Sequence, residues 1–194
     1  MTSHTPELAR EVDCAAALSA AEQTVAGNTP LRREVLLEWM RSPCVDVQSV
    51  AFAVLFDPPA GTEPPDTETV NQFFLDYLAR RLRDGTGTSR TPGRFLAAQL
   101  IRAWFQRLWR TGLRPEDLLA RIRDLLGRLL RSGDEQVHDA VLLGVLEHLF
   151  VEPSIVEFFS GWRQDPALRP VFLEALALTD ADRLPSAKFA DDPD

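Results

Sequence analysis

An all-α fold is what this sequence predicts, and three observations carry the prediction. Apolar residues recur at spacings of three and four, no segment alternates cleanly as a half-buried strand does, and threonine-proline steps mark where helices begin. Proline suits a first helical turn because its missing N–H would have had no intrahelical partner there. About nine antiparallel helices follow from this grammar.

Thr5-Pro6 opens a helix over 6–26 and Thr29-Pro30 one over 30–41, each threonine serving as N-cap and each proline as the first helical residue. Residues 44–56 are apolar nearly all round, as a helix enclosed by others should be. The proline-rich stretch 57–66 reads as the longest loop. Val70, Phe73, Phe74, Tyr77, Leu78 and Leu82 form the stripe of a helix over 67–83. A connector spans 84–91, where Gly85-Thr86-Gly87 lacks both the flanking strand and the lysine of a phosphate loop. Thr91-Pro92 opens a helix over 92–111. Pro115-Glu116-Asp117 opens another over 115–131 and sets two carboxylates at the positive end of its dipole. Residues 134–150 are a second segment apolar almost all round, so both it and 44–56 should be central. Pro153 begins a helix over 153–162, and Pro166 precedes the last, 167–178.

A chain of 194 residues, 45% of them hydrophobic, can close one substantial core, which predicts a single domain over 1–178 and a polar tail over 179–194. The first residues show no basic segment followed by an apolar one, and no apolar run approaches the length of a membrane span, so a cytoplasmic protein is expected. Cys14 and Cys44 lack the spacing of a metal knuckle or a disulfide framework and read as reduced core thiols. Net charge is −8, unevenly spread: residues 1–89 hold 7 basic and 13 acidic side chains, 90–131 hold 10 and 3, and 132–194 hold 4 and 13. A basic middle between acidic ends is either satisfied within the protein or attracts a charged partner.

Shifted by 90 positions, residues 31–56 align with 121–146 without a gap, so that Arg33 meets Arg123, Glu34 meets Asp124 and Val47 meets Val137. Such a match means either a duplicated helical hairpin or two hairpins sharing one grammar. In the second copy, the acidic turn Ser132-Gly133-Asp134-Glu135 leads into an apolar helix ending in Leu146-Glu147. That pattern, within residues 92–178, resembles small bacterial HEAT-like proteins, some of which are similar to immunity proteins of toxin systems. The resemblance implies stacked helical hairpins and a protein-binding role, and it brings no catalytic residues with it.

Candidate sites are few. His138 and His148 lie ten residues apart on one helix, about 80° apart around its axis, which prevents them from chelating one ion together. No metal or cofactor is expected, and no serine or cysteine stands in a recognisable arrangement with a base. On the helix 92–111, Gln99, Arg102, Gln106 and Arg110 recur on one edge, and Arg107 lies beside them. They read as a polar groove for phosphates or an acidic protein, or as an ordinary solvated face. The acidic counterpart is Asp134, Glu135, Asp139, Glu147 and Glu152, a carboxylate-rich face of the kind that captures a basic protein, or again a solvated surface.

The sequence therefore predicts a non-enzymatic protein-binding module, immunity-like or antitoxin-like, whose partner is another protein such as a basic toxin. The alternative is a nucleic-acid-binding helical protein that uses the arginine-rich middle, against which stands a pI near 4.9. Either a monomer or a homodimer, its stripe facing its own acidic ends, fits the charge pattern.

Overall fold

Three- and four-residue apolar spacing does produce helices throughout the computed structural model, which describes residues 5–27, 30–87, 92–111 and 116–183. They are α1 (Thr5–Ala26), α2 (Arg33–Arg41), α3 (Val45–Phe56), α4 (Thr67–Asp84), α5 (Arg94–Arg110), α6 (Glu116–Leu130), α7 (Glu135–Val141), α8 (Glu147–Leu149), α9 (Pro153–Phe158) and α10 (Arg169–Arg183). A π turn, Leu142–Leu146, joins α7 to α8 as one continuous helix, which makes nine helices and no strand among the described residues.

The proline signal located some helix starts and misplaced others. Pro153 stands in the first turn of α9, as expected. Helix α2 begins at Arg33 and not at Pro30, because the carbonyl of buried Leu31 accepts the N–H of Glu63 at 2.8 Å and holds the chain extended through Arg32. Helix α5 begins at Arg94 with Gly93 as its extended N-cap, two residues after Pro92. Thr29, Thr91 and Pro115 lie outside the described residues. The last helix runs five residues past its expected end at 178, since the hydroxyl of buried Thr179 is satisfied by the carbonyls of Ala175, at 2.9 Å, and Glu147, at 3.2 Å. Of the expected tail, 184–194 lie outside the described residues.

The described chain forms two compact units that divide within α4: residues up to 77 with 86–92, and residues 78–85 with those from 93 onward. In the first unit α3 packs on α1 and α2, burying Val47, Ala51 and Val54 with Leu18, Leu36 and Trp39. Phe52 stacks 5.2 Å from Tyr77 and tilts against Phe74 at 4.6 Å. Ser49 gives its one proton to the carbonyl of Val45 at 2.9 Å, so the Tyr77 hydroxyl, 2.7 Å away, donates to Ser49. Cys14 and Cys44 are free thiols; Cys44 is buried directly ahead of α3, its Sγ 3.8 Å from the carbonyl of Cys14.

In the second unit α5 buries Ala97, Ala98, Ile101, Trp104, Phe105 and Trp109. The helix α7–π–α8 lies along it in the same direction: Arg94 meets Gln136, Ala98 meets Gly144 and Trp109 meets Glu152. Gly144 sits within the π turn, and a Cβ there would come 2.7 Å from Ala98 Cβ, so only glycine lets the two helices approach this closely. Phe105, Phe150, Phe159 and Phe172 are fully buried around them, with Phe150 edge-on to Phe172 at 5.2 Å.

Candidate functional site

A helix leaves its last carbonyls without intrahelical partners, at the negative end of its dipole. At the end of α4 those carbonyls are taken by Arg94, from the first turn of α5: Nε donates to the carbonyl of Leu82 at 2.6 Å and Nη2 to that of Arg83 at 2.8 Å. The same guanidinium donates from Nη1 to Gln136 Oε1 and lies 3.7 Å from Asp134 Oδ2. Asp134 in turn caps α7, accepting from the backbone N–H groups of Gln136 at 2.9 Å and Val137 at 3.1 Å. One arginine thus ties together the end of α4, the start of α5 and the start of α7, with its own side chain only 12% exposed.

The residues next to Arg94 are left facing solvent. Phe95 is 50% and Leu96 49% exposed, unusual for large apolar side chains in the first turn of a packed helix. With Gly85, Gly93, Gln136 and Asp139 they line a shallow cleft of about 460 Å³. Leu143, 40% exposed, stands four residues after Asp139 and so next to it along the helix. Two large apolar side chains thus share a cleft with one carboxylate, that of Asp139.

The five acidic residues singled out from the sequence do not all lie together. Asp134, Glu135 and Asp139 gather at the start of α7, where Asp139 borders the cleft and lies 3.5 Å from Nδ1 of His138. Glu147 is half-buried beyond the π turn. Glu152 is occupied structurally, its Oε1 accepting from Trp109 Nε1 at 2.7 Å and from the Ser154 hydroxyl at 2.6 Å. The predicted polar groove is a continuous edge of α5, with Gln99, Arg107 and Arg110 exposed and Arg102 and Gln106 half-buried.

Phe95, Leu96 and Leu143 were not singled out from sequence. A signal existed for the first: Phe95 precedes Gln99, Arg102 and Gln106 at spacings of four, three and four, which places it on the polar edge. Leu143 falls in a segment expected to be enclosed on all sides, 134–150, but Asp134, Glu135, Gln136, Asp139 and His148 are exposed there too, and Leu143 is its exposed apolar residue.

His138 is half-buried, its Nε2 3.9 Å from Glu174 Oε2, while His148 is exposed. Among the described residues no group of three or more histidines, cysteines or carboxylates is placed to hold a metal ion, and no helix is long and apolar enough to cross a membrane. The first unit carries a cleft of about 750 Å³, lined by Ala17 and Ala20 of α1, by Glu34, Leu37, Glu38, Trp39 and Arg41 of α2, and by Val47 of α3. Compared with known proteins, the chain matches no family model, no curated protein and no solved structure.

Proposed function

We propose that this chain is a non-enzymatic protein-binding module that holds a basic partner against the patch formed by Phe95, Leu96 and Leu143, as an immunity-type factor holds a toxin. The observation that supports this reading is that Phe95 and Leu96 stand in solvent in a cleft bordered by Asp139, with a third large apolar side chain, Leu143, exposed four residues after Asp139. Apolar anchors supply most of the binding free energy at such surfaces, and the charged border selects the partner and speeds encounter. The resemblance of residues 92–178 to HEAT-like helical proteins points the same way.

The test is recovery of the full chain from its native host, beside a Phe95→Asp/Leu143→Asp variant. A stoichiometric basic protein held by the wild type and lost from the variant is the expected outcome. Since both residues are exposed, the variant should keep the wild-type melting curve. Retention of the same protein by the variant would remove the patch from the account.

A second reading follows from the shared edge of Gln99, Arg102, Gln106, Arg107 and Arg110, which suits phosphates of a nucleic acid. It predicts steeply salt-dependent binding of a single-stranded oligonucleotide, abolished by Arg102→Glu/Arg110→Glu and indifferent to Phe95→Asp.

A further inference from the structure

The chain has only two cysteines, and the fold brings them together. Cys14 lies on α1 and Cys44 directly ahead of α3, thirty positions apart, with Cys44 Sγ 3.8 Å from the carbonyl oxygen of Cys14. Both belong to the core of the first unit, in the cluster that holds Leu18 and Val47, with Cys44 buried and Cys14 partly so. A single buried cysteine is an ordinary small apolar residue. Two thiols that meet from separate helices can also join.

A carbonyl oxygen stands about 2.4 Å from its own Cα, which puts Cys44 Sγ no more than about 6 Å from Cys14 Cα. A finished disulfide sets that separation at roughly 3–4.5 Å. The remaining approach is on the order of 2 Å, within reach of a rotation of the Cys14 side chain and a small shift of α1. Cys44 is the fixed partner. Its N–H is held by Ser42 Oγ at 3.1 Å and its carbonyl by the N–H of Gln48 at 3.2 Å, while Gln48 Nε2 donates to the carbonyl of Ser42 at 2.7 Å. Cys14 is the more exposed thiol, and so the one that an external disulfide meets first.

We propose that Cys14 and Cys44 are a redox-responsive pair, joined on oxidation in a disulfide that ties α1 to the start of α3. The oxidant is a small disulfide of the glutathione class. Cys14, as thiolate, attacks one of its sulfurs and expels the other as a thiolate, which leaves a mixed disulfide on Cys14. Cys44, its proton lost to solvent, then attacks Cys14 Sγ and expels the second small thiolate. Two cysteine thiols are oxidised and one small disulfide is reduced to two thiols, which take up the two protons the cysteines release. Closing this loop narrows the unfolded ensemble and so stabilises the first unit. The pair lies in the first unit and is independent of the docking surface proposed on the second.

Incubation of the folded full chain in graded mixtures of reduced and oxidised glutathione, followed by alkylation and mass spectrometry, tests the pair. The expected product is a monomer that has lost two hydrogens, takes up no alkylating agent and yields a cross-linked peptide containing Cys14 and Cys44. Its melting temperature should exceed that of the reduced chain by about 5–10 °C, and reduction should reverse the change. Cys14→Ala and Cys44→Ala should show no oxidant-dependent rise, with circular dichroism establishing that each is folded. Should either variant fold poorly, the wild-type cross-link decides alone. A folded chain that keeps two alkylatable thiols, or that stops at a glutathione adduct on Cys14, overturns the pairing. So does a disulfide that forms but lowers the melting temperature, since the fold would then be strained to make it.

Discussion

A Cβ on Gly85 would stand 2.7 Å from Nη2 of Arg94, the nitrogen that donates to the carbonyl of Arg83. Gly85 also has φ +70°, in the left-handed region that other residues adopt at a cost. The glycine ends α4, and its missing side chain leaves room for the guanidinium that caps α4.

Comparison of two glycines separates these requirements. Gly133 has φ +74° but no atom within 4 Å of where its Cβ would lie. Gly133→Ala should therefore cost only the backbone term, about 1–2 kcal/mol. Gly85→Ala should cost distinctly more, because the guanidinium must also shift. Equal losses in denaturant titrations would mean that Arg94 moves aside freely.

Arg94→Lys should fail to replace arginine. A lysine ammonium is a compact charge that lacks the planar fork reaching the carbonyls of Leu82 and Arg83 together. The expected loss is about 1.5–3 kcal/mol, the usual range for hydrogen bonds to a charged group. Hydrogen exchange should quicken at the end of α4 and the start of α7 and change little in α9. Wild-type stability in the lysine variant would show that charge alone suffices.

Gly144→Ala reverses the ordinary expectation for a helix. Alanine normally stabilises a helix interior by about 1 kcal/mol relative to glycine, but here the added methyl meets Ala98 at 2.7 Å. Overpacking should make the substitution net destabilising by roughly 1–3 kcal/mol. In an Ala98→Gly background the same substitution should become neutral or stabilising. Additive effects across that double-mutant cycle would contradict the close approach of the two helices.

Acid should act on the turn ahead of α10. Asp165 accepts from Arg131 and from the backbone N–H of Ala167 at 2.9 Å, and these bonds hold its carboxyl below the ordinary aspartate value of 3.8. A carboxylate whose pKa is lower folded than unfolded contributes stability that is complete above the ordinary value and lost as pH falls through the folded one. Asp165→Asn should therefore be less stable than wild type at neutral pH, and the difference should shrink as pH falls below 3.8. A constant gap down to the acid limit would show that the bonds matter for geometry and not for charge. Asp66, whose carboxyl is lowered by hydrogen bonds from the hydroxyl and N–H of Thr69, should show the same sign.

The helical class and the order and approximate span of the helices were legible in the sequence. Helical periodicity is a local property: Leu118, Ile122, Leu125, Leu126 and Leu129 lie on one side of α6 wherever α6 packs, and all are buried. Helix starts were legible only where nothing distant intervened. Pro153 begins α9, whereas the bond from Glu63 to Leu31 moves the start of α2 by three residues, and no window on the sequence near Pro30 contains Glu63.

The candidate surface was legible in part. The polar edge of α5 could be read from spacing, and Asp134, Glu135 and Asp139 could be grouped by proximity in sequence. Which of the five carboxylates faces solvent freely could not be read, because the fate of Glu152 depends on Trp109, forty-three positions away. The exposure of Phe95 and Leu96 and the π turn around Gly144 were likewise decided by packing between α5 and its neighbour. Each helix and its apolar side follow from chemistry within one or two turns and so are written locally along the chain. Which apolar residues stay in solvent and which charges are already engaged depends on packing between segments far apart in sequence, as the Trp109–Glu152 bond illustrates.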